Sequence, residues 1–211
     1  MAKAPVPGLA KTRLAPALGA VGAAALAERL LNHAVAEAVA AGLGAGLGAS
    51  LGAVKLWAAP DASHPAFQRL QQQHGITLAT QASGDLGARM AQVFGSAWAE
   101  APGPVLLMGT DAPALNAAVL RQAAAALQHS PAVFVPALDG GYALVGLHQP
   151  RPGLLAALFD HMLWSTAQVM ADTRARLAAL AVAHTELPAV ADIDEAADLR
   201  HLPAHWLPAP P

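Results

Sequence analysis

Short apolar runs alternate along the chain with longer stretches in which apolar residues recur at helical spacing. The short runs are typical of strands, and a period of three to four residues is typical of amphipathic helices. The runs predict strands at residues 53–59, 76–80, 105–108, 132–136, 142–147 and 182–187. The other stretches predict helices at residues 21–41, 63–74, 116–128, 154–161 and 167–180, and a further helix from a glycine turn near residue 84 to residue 100. This alternation predicts an α/β fold with a mostly parallel sheet.

One pair of predicted strands is joined by a turn too short for a parallel crossover. Asp139, Gly140 and Gly141 separate the strand at 132–136 from the strand at 142–147. An Asp-Gly pair favours a tight hairpin, so the turn predicts an antiparallel insertion. Alternatively, the two glycines let backbone approach a ligand, and Tyr142 offers a ring and a hydroxyl group beside it.

Asp111 follows the predicted strand at 105–108 after Gly109 and Thr110. In open parallel sheets, ligands bind at the carboxyl ends of the strands. A carboxylate there can hold a divalent cation, because hard cations prefer oxygen ligands. The alternative interpretation is that Asp111 caps the helix that follows.

Composition and charge limit the classes of function. The 211 residues have a formal net charge of −2, which gives no general electrostatic case for binding nucleic acid or acidic membranes. The chain contains no cysteine, which excludes disulfides, thiol catalysis and cysteine metal sites. No membrane span and no signal peptide are predicted, and a cytoplasmic location is the default expectation. A glycine-rich near-repeat at residues 42–53 is predicted to be a connection without its own function.

Several loops admit both a chemical and a structural interpretation. Lys11 and Arg13 lie in a Gly/Pro-rich loop that suits a phosphate but is equally an ordinary solvated basic loop. Asp85 precedes a helix, where a carboxylate is favoured by the helix dipole. Ser63 can cap the helix that runs to residue 74, and Gly75 closes that helix. Ser165 or Thr166, after Trp164, is a natural N-cap, and Asp194 can cap a short helix that ends near residue 202.

Taken together, six sequence blocks resemble a known family. They are PxPGxxKTRL at residues 5–14, GDLGxRM at 84–90, GTDAP at 109–113, DGGYxLxGL at 139–147, WST at 164–166 and DIDxxxDL at 192–199. The set resembles the bacterial GT-A-type glycosyltransferase family DUF2064, whose members are described as nucleotide-diphospho-sugar transferases or arsenosugar-biosynthesis glycosyltransferases. The blocks occur in order over nearly the whole chain. The chain is more distantly similar to the 2-phospholactate guanylyltransferases.

The resemblance implies one GT-A domain over residues 1–205, followed by a loose tail at 206–211. It also implies a nucleotide diphosphate held through Mg²⁺ or Mn²⁺. The implied metal ligands are Asp111, Asp192 and Asp194, and the implied catalytic residues are Asp111 and Asp139. The implied nucleotide-binding residues are Pro5, Gly8, Lys11, Arg13, Gly84 and Asp85. The implied acceptor-side residues are Gly140, Gly141, Tyr142, Trp164, Ser165 and Thr166.

The chain departs from the family pattern in two places. Family members carry a strand directly before the equivalent of Lys3, and here Met1 occupies the place of its last residue. We therefore expect the first strand to be missing and the chain to start late. Residues 195–197 read Glu-Ala-Ala, where the family has Thr-Pro-Glu, but both preceding aspartates are kept.

Three functions fit these observations. The first is glycosyl transfer from a nucleotide sugar to a small-molecule acceptor. We prefer this function because the blocks at 139–147 and 164–166 match the glycosyltransferase family better. The second is nucleotidyl transfer from a nucleoside triphosphate with release of pyrophosphate, since both reactions need cations around a diphosphate. The third is a nucleotide-binding protein that has lost turnover.

Overall fold

The computed structural model describes residues 1–42 and 52–206. The strands are β1 (Ala2–Lys3), β2 (Lys55–Ala59), β3 (Thr77–Thr80), β4 (Val105–Met108), β5 (Ala132–Pro136), β6 (Tyr142–Leu147) and β7 (His184–Glu186). The helices are α1 (Ala15–Gly42), α2 (Pro65–His74), α3 (Leu86–Glu100), α4 (Ala117–Ala126), α5 (Leu154–Phe159) and α6 (Val169–Ala179). Most of the predicted connection at 42–53 and of the predicted tail at 206–211 lies outside the described residues.

The first three strands form a parallel sheet in the order β1-β2-β3. Although β1 has only two residues, Ala2 and Lys3 pair in parallel with Ala58 and Ala59 of β2. The Ala4 N–H extends this pairing by donating to the Ala59 carbonyl at 2.8 Å. The expectation of a missing first strand is therefore corrected: a short strand stands directly before the proline-rich loop.

The other four strands form a mixed sheet in the order β4-β6-β5-β7. As the turn at Asp139 predicts, β6 is antiparallel to β5. Strand β6 is also antiparallel to β4, whereas β7 runs parallel to β5. The register shifts at Pro136, directly before this turn. A bulge of this kind increases local twist and turns the chain out of the ladder.

A hydrogen bond connects the two sheets. The α-amino group of Met1 donates to the Met108 carbonyl oxygen at 2.7 Å, which places the start of β1 beside the end of β4. A second hydrogen bond joins the loop after β4 to the segment after β7, where the Ile193 N–H donates to the Asp111 carbonyl oxygen at 2.9 Å. The loops after β1 and β4 and the segment around Ile193 therefore meet at one edge.

Helices cover both faces of the mixed sheet, so side chains that point to either face are buried. Phe134 packs with buried residues of α3, α5 and α6, whereas its neighbours Val133 and Val135 pack with α4 and the end of α1. Successive strand residues point to opposite faces, so a strand covered on both sides is apolar throughout. All five residues of β5 are buried accordingly.

Two glycines set the ends of helices. Gly75 ends α2 in the left-handed conformation, with φ 65°, as predicted. Gly19 interrupts α1 with a non-helical φ of 69°, and the predicted helix at 21–41 begins directly after this break. Because glycine lacks a Cβ, it adopts these dihedral angles at little steric cost.

Three predicted N-caps differ from the structure. His64, rather than Ser63, caps α2, and its ring Nδ1 accepts from the Ala66 N–H at 3.2 Å. Glu195, rather than Asp194, caps the 3₁₀ helix Ala196–His201 and forms a capping box with Asp198. The His64 ring thus satisfies one free N–H group of the first turn of α2, and Asp198 accepts from the Glu195 N–H at 2.7 Å at the start of the 3₁₀ helix.

The predicted cap at Ser165 or Thr166 is also wrong. Helix α6 begins at Val169, and Gln168 occupies the N-cap position without a side-chain hydrogen bond. The Thr166 hydroxyl instead donates to the Leu163 carbonyl oxygen at 2.9 Å. The segment before α6 is therefore a loop with its own internal bonding.

One described helical stretch, Thr12–Gly42, is long and apolar enough to cross a membrane by length and composition. Its most apolar 18-residue window has a mean hydropathy of 1.4, and 33% of that window is buried. Core helices pass the same test, so this observation is weak evidence for a membrane span. The absence of a membrane span stays a prediction.

Candidate functional site

A cleft of about 510 Å³ opens where the loops after β1 and β4 meet. Its walls come from residues 1–3, 9–13 and 107–112, and from parts of the segments at 81–90, 137–145, 164–169 and 192–194. These include ends of strands from both sheets, where α/β folds commonly bind ligands.

Lys11 lies in this cleft with an unusual backbone conformation. It precedes the 3₁₀ turn Thr12–Leu14, and its φ of 49° is left-handed. Its side chain is only 7% exposed, and its Nζ lies 2.9 Å from Asp111 Oδ2 and 3.7 Å from Asp194 Oδ1. Left-handed non-glycine residues are sparsely populated and cluster at functional sites.

Arg13 forms a second ion pair at the edge of the same cleft. Its Nη1 lies 2.8 Å from Asp194 Oδ2 and 3.7 Å from Glu195 Oε1. The Arg13 side chain is 64% exposed, so its guanidinium group faces solvent far more than the Lys11 ammonium group does.

Asp111 does not cap the helix that follows β4. Helix α4 begins at Ala117, and the Asn116 side chain accepts from the N–H groups of Ala118 and Val119. The Asp111 side chain is 52% exposed and faces the cleft. Of the two interpretations of Asp111, the helix cap is therefore wrong.

Asp139 and Asp192 form a second acidic pair in the cleft. Asp139 Oδ1 accepts from the Gly141 N–H at 2.8 Å, as a turn residue does. Asp192 is half-buried, and burial, followed by the negative charge of Asp139, raises the pKa of its carboxyl group. Burial and a nearby like charge both disfavour the ionised form of the Asp192 carboxyl group.

Aromatic rings form one wall of the cleft. The Tyr142 and Trp164 rings meet edge to face, with centroids 6.4 Å apart. Burial raises the pKa of the Tyr142 hydroxyl, which donates to Met90 Sδ at 3.9 Å. The indole N–H of Trp164 is buried and finds no acceptor among the described residues.

Gly87 and Gly140 lie so close to neighbouring segments of this wall that neither position has room for a Cβ. A Cβ at Gly87 of α3 would lie 2.5 Å from the Phe159 carbonyl oxygen and 2.9 Å from Trp164 Nε1. A Cβ at Gly140, where φ is 93°, would lie 2.6 Å from the Ala167 Cα. The Gly140 carbonyl oxygen also accepts from the Met170 N–H at 2.8 Å.

Comparison with known proteins identifies the family. The model of the family described as "Uncharacterized protein conserved in bacteria (DUF2064)" matches residues 43–166, more than half of the chain. The chain belongs to the DUF2064 family. No curated protein matches the chain.

One solved structure supports the GT-A-like assignment of this DUF2064 chain. A provisionally assigned nucleotide-diphospho-sugar transferase from Desulfovibrio desulfuricans G20 is 29% identical and superposes with a TM-score of 0.78. The match covers 93% of this chain and 81% of the other. CMP:2-keto-3-deoxy-manno-octonic acid synthetase, solved with CTP, is 12% identical with a TM-score of 0.48, and the match covers 82% of this chain and 85% of the other. The predicted family and α/β fold class are confirmed.

The DUF2064 cleft brings most of the predicted site residues together. Those lining it are Lys11, Arg13, Asp111, Asp139, Gly141, Tyr142, Trp164, Ser165, Thr166, Asp192 and Asp194. Five predicted residues are not among the lining residues, namely Pro5, Gly8, Gly84, Asp85 and Gly140. Asp85 caps α3 by accepting from the Ala88 N–H at 2.8 Å, and Gly140 packs behind the cleft wall.

Gln81 and Arg89, which are not among the residues predicted from the sequence, also line the cleft. The Gln81 amide donates at 2.9 Å to the carbonyl oxygens of Ala2 and Trp57, which leaves its own carbonyl oxygen available as an acceptor. Gln81 follows the end of β3 directly, so the rule that ligands bind at strand ends could have selected it.

The acidic residues of the cleft fit a divalent cation together with phosphate. Within residues 1–42 and 52–206, no group of three His, Cys, Asp or Glu side chains is arranged so that it could hold a metal ion. However, the carboxylates of Asp111 and Asp194 both contact the Lys11 ammonium group, and their side chains are 52% and 41% exposed. Mg²⁺ commonly binds through one or two carboxylates plus phosphates and water, so two carboxylates are sufficient.

Proposed function

We propose that this DUF2064 chain is a metal-dependent glycosyltransferase that takes a nucleotide-diphospho-sugar donor and a small-molecule acceptor. One observation carries the proposal: two cationic side chains and two carboxylates converge in the cleft at the strand ends, through the contacts of Lys11 with Asp111 and Asp194 and of Arg13 with Asp194. Such a set suits a diphosphate with its cation. The 29% identical structural relative supports the same donor class.

On this proposal, the basic residues bind the donor diphosphate. The exposed Arg13 guanidinium group contacts Asp194 through Nη1, and its other N–H groups would form hydrogen bonds with phosphate oxygens, while Lys11 would supply a compact positive charge deeper in the cleft. Asp111 and Asp194 would hold Mg²⁺ or Mn²⁺, with Asp192 as the alternative second ligand. When bound, the metal supplies neutralisation of negative charge on the leaving diphosphate.

The acceptor would lie against the aromatic wall of the cleft, beside Tyr142 and Trp164. There we propose Asp139 as the general base. Its carboxylate would take the proton of the acceptor hydroxyl group as that oxygen bonds to the anomeric carbon of the sugar. The bond from this carbon to the diphosphate then breaks, and a nucleoside diphosphate leaves.

The test is incubation of the protein with Mg²⁺ or Mn²⁺ and panels of nucleotide sugars, nucleoside triphosphates and candidate acceptors. Release of nucleoside diphosphate supports glycosyl transfer. Release of pyrophosphate would replace the proposal with nucleotidyl transfer, and metal-dependent nucleotide binding without any product would favour a non-catalytic protein.

A matched pair of variants tests the site. Asp111→Asn should abolish metal-dependent nucleotide binding, measured by isothermal titration calorimetry. Asp61→Asn makes the same change at an exposed carboxylate that bonds to Ser63 and does not line the cleft, so it should bind as the wild type does. Equal nucleotide affinity for the two variants would remove Asp111 from the site.

A further inference from the structure

The Lys11 ammonium group contacts both carboxylates that are proposed to hold the metal. Its Nζ contacts Asp111 Oδ2 at 2.9 Å and Asp194 Oδ1 at 3.7 Å. Both carboxylates of this acidic pair therefore already contact a cation that belongs to the chain itself.

Burial makes this internal cation an effective competitor. The Lys11 side chain is 7% exposed, whereas the carboxylates of Asp111 and Asp194 are 52% and 41% exposed. The carboxylates thus remain accessible to ions from solvent, but an entering cation meets the charge of a largely desolvated ammonium group. Charges a few ångströms apart interact more strongly when one of them is shielded from water.

Arg13 does not bridge the carboxylates of Asp111 and Asp194. It contacts Asp194 at 2.8 Å and Glu195 at 3.7 Å, and its contacts do not include Asp111. Since its side chain is 64% exposed, it can swing into solvent without leaving a buried charge unpaired. Only one of the two basic residues therefore bridges the acidic pair.

We infer that Lys11 is a built-in counter-ion that keeps the divalent cation out of the Asp111–Asp194 pair until a polyphosphate arrives. The polyphosphate offers the ammonium group a new anionic partner and thereby frees both carboxylates for the metal. Metal and polyphosphate then bind cooperatively, and the metal alone binds weakly. This inference rests on the proposed function, because it assumes that the two carboxylates hold the metal of a phosphate-containing substrate.

The test is Mn²⁺ binding followed by electron paramagnetic resonance, with Mn²⁺ alone and with Mn²⁺ plus inorganic pyrophosphate. Pyrophosphate is the probe because it carries the phosphate chemistry without a base or a sugar. Lys11→Met keeps an unbranched side chain one atom shorter than that of lysine and removes the charge. It should increase the affinity for Mn²⁺ alone by about tenfold, because the competing cation is gone.

Arg13→Gln is the matched control, because it also removes one positive charge near Asp194 but leaves the bridging position filled. It should change the affinity for Mn²⁺ alone by less than about threefold, as expected for an exposed pair. Lys11→Met should also lose most of the enhancement of Mn²⁺ binding that pyrophosphate produces in the wild type. Circular dichroism checks that the variants fold, and Lys11→Gln replaces Lys11→Met if the latter unfolds.

The outcomes separate the inference from the function on which it rests. Equal or weaker binding of Mn²⁺ alone by the Lys11 variant, compared with the wild type, overturns the counter-ion role even if the protein transfers sugars. A similar gain in the Arg13 variant also overturns it, because the effect would then be general electrostatics. Failure of every nucleotide sugar to react would defeat the proposed function, while the comparison with Mn²⁺ alone would still decide the role of Lys11.

Discussion

Substitution of Gly87 by alanine tests whether close packing against α3 positions the aromatic wall of the cleft. The added Cβ would lie 2.5 Å from the Phe159 carbonyl oxygen, 2.9 Å from Trp164 Nε1 and 3.0 Å from Trp164 Cζ2. Because the nearest atom belongs to backbone, relief requires movement of the end of α5 or of the indole ring. Overpacking of this kind costs about 1–3 kcal/mol.

Gly95 provides a control in the same helix. It is exposed, and a Cβ there meets no atom within 4 Å. Alanine at an unstrained helical position stabilises a protein by about 0.4–1 kcal/mol relative to glycine. Gly87→Ala receives the same helical benefit but also the steric cost, so the two variants should differ by about 1–3 kcal/mol.

Urea denaturation of the wild type and the two variants measures this difference. Gly95→Ala should raise the urea midpoint, whereas Gly87→Ala should lie clearly below Gly95→Ala. Near-ultraviolet circular dichroism should show an altered tryptophan environment in Gly87→Ala alone, because the added methyl group meets the indole of Trp164. Equal midpoints with unchanged tryptophan spectra would refute the packing argument.

Three further substitutions test other parts of the fold by urea denaturation. Gly140→Ala should destabilise the protein by at least about 1–2 kcal/mol, because φ is 93° and the Cβ would lie 2.6 Å from the Ala167 Cα; a midpoint equal to that of the wild type would contradict this. Glu186→Gln should cost up to about 1 kcal/mol at neutral pH, through loss of the pair with Arg174. The hydrogen bond from Arg174 lowers the pKa of Glu186, so this cost should disappear as the pH falls through the lowered pKa; a cost independent of pH would contradict the assignment. Phe134→Ala should cost about 3–5 kcal/mol, because the ring is fully buried, and a loss below 1 kcal/mol would show that its surroundings collapse.

Strands with a strong local signal could be predicted to the residue. The bounds of β4, β5 and β6 match the sequence prediction, because turn or breaker residues flank continuous apolar runs there. In contrast, β1 has two residues and carries no periodicity. It forms because its two residues pair in parallel with β2, and this pairing depends on tertiary structure.

Helix starts were harder to predict because several adjacent residues can cap. Ser63 and His64 both precede α2, and the geometry of the preceding loop selects the histidine. Trp164, Ser165 and Thr166 carry a cap-like sequence, yet the chain there forms a loop in which Ser165 has a φ of 61°. Local propensity identifies the possible caps, whereas packing determines which one is used.

The predicted site residues are brought together by the order of the strands. The parallel sheet extends from β1 toward β3, while β4 begins the second sheet, and the Met1–Met108 hydrogen bond joins the two at β1 and β4. Such a change in strand order leaves a crevice at the carboxyl ends of the strands, where α/β folds bind ligands. The topology therefore accounts for the position of the cleft.

The charge pairing within the cleft has a different origin. Lys11 enters from the loop after β1, Asp111 from the loop after β4, and Asp194 from a segment held to Asp111 through the Ile193 N–H. Sequence motifs identify each residue as chemically suited to a phosphate or a cation, but they do not show that the lysine will meet the carboxylates. Because the pairing depends on contact between three distant segments, a change that separates β1 from β4 should weaken it without altering any charged residue.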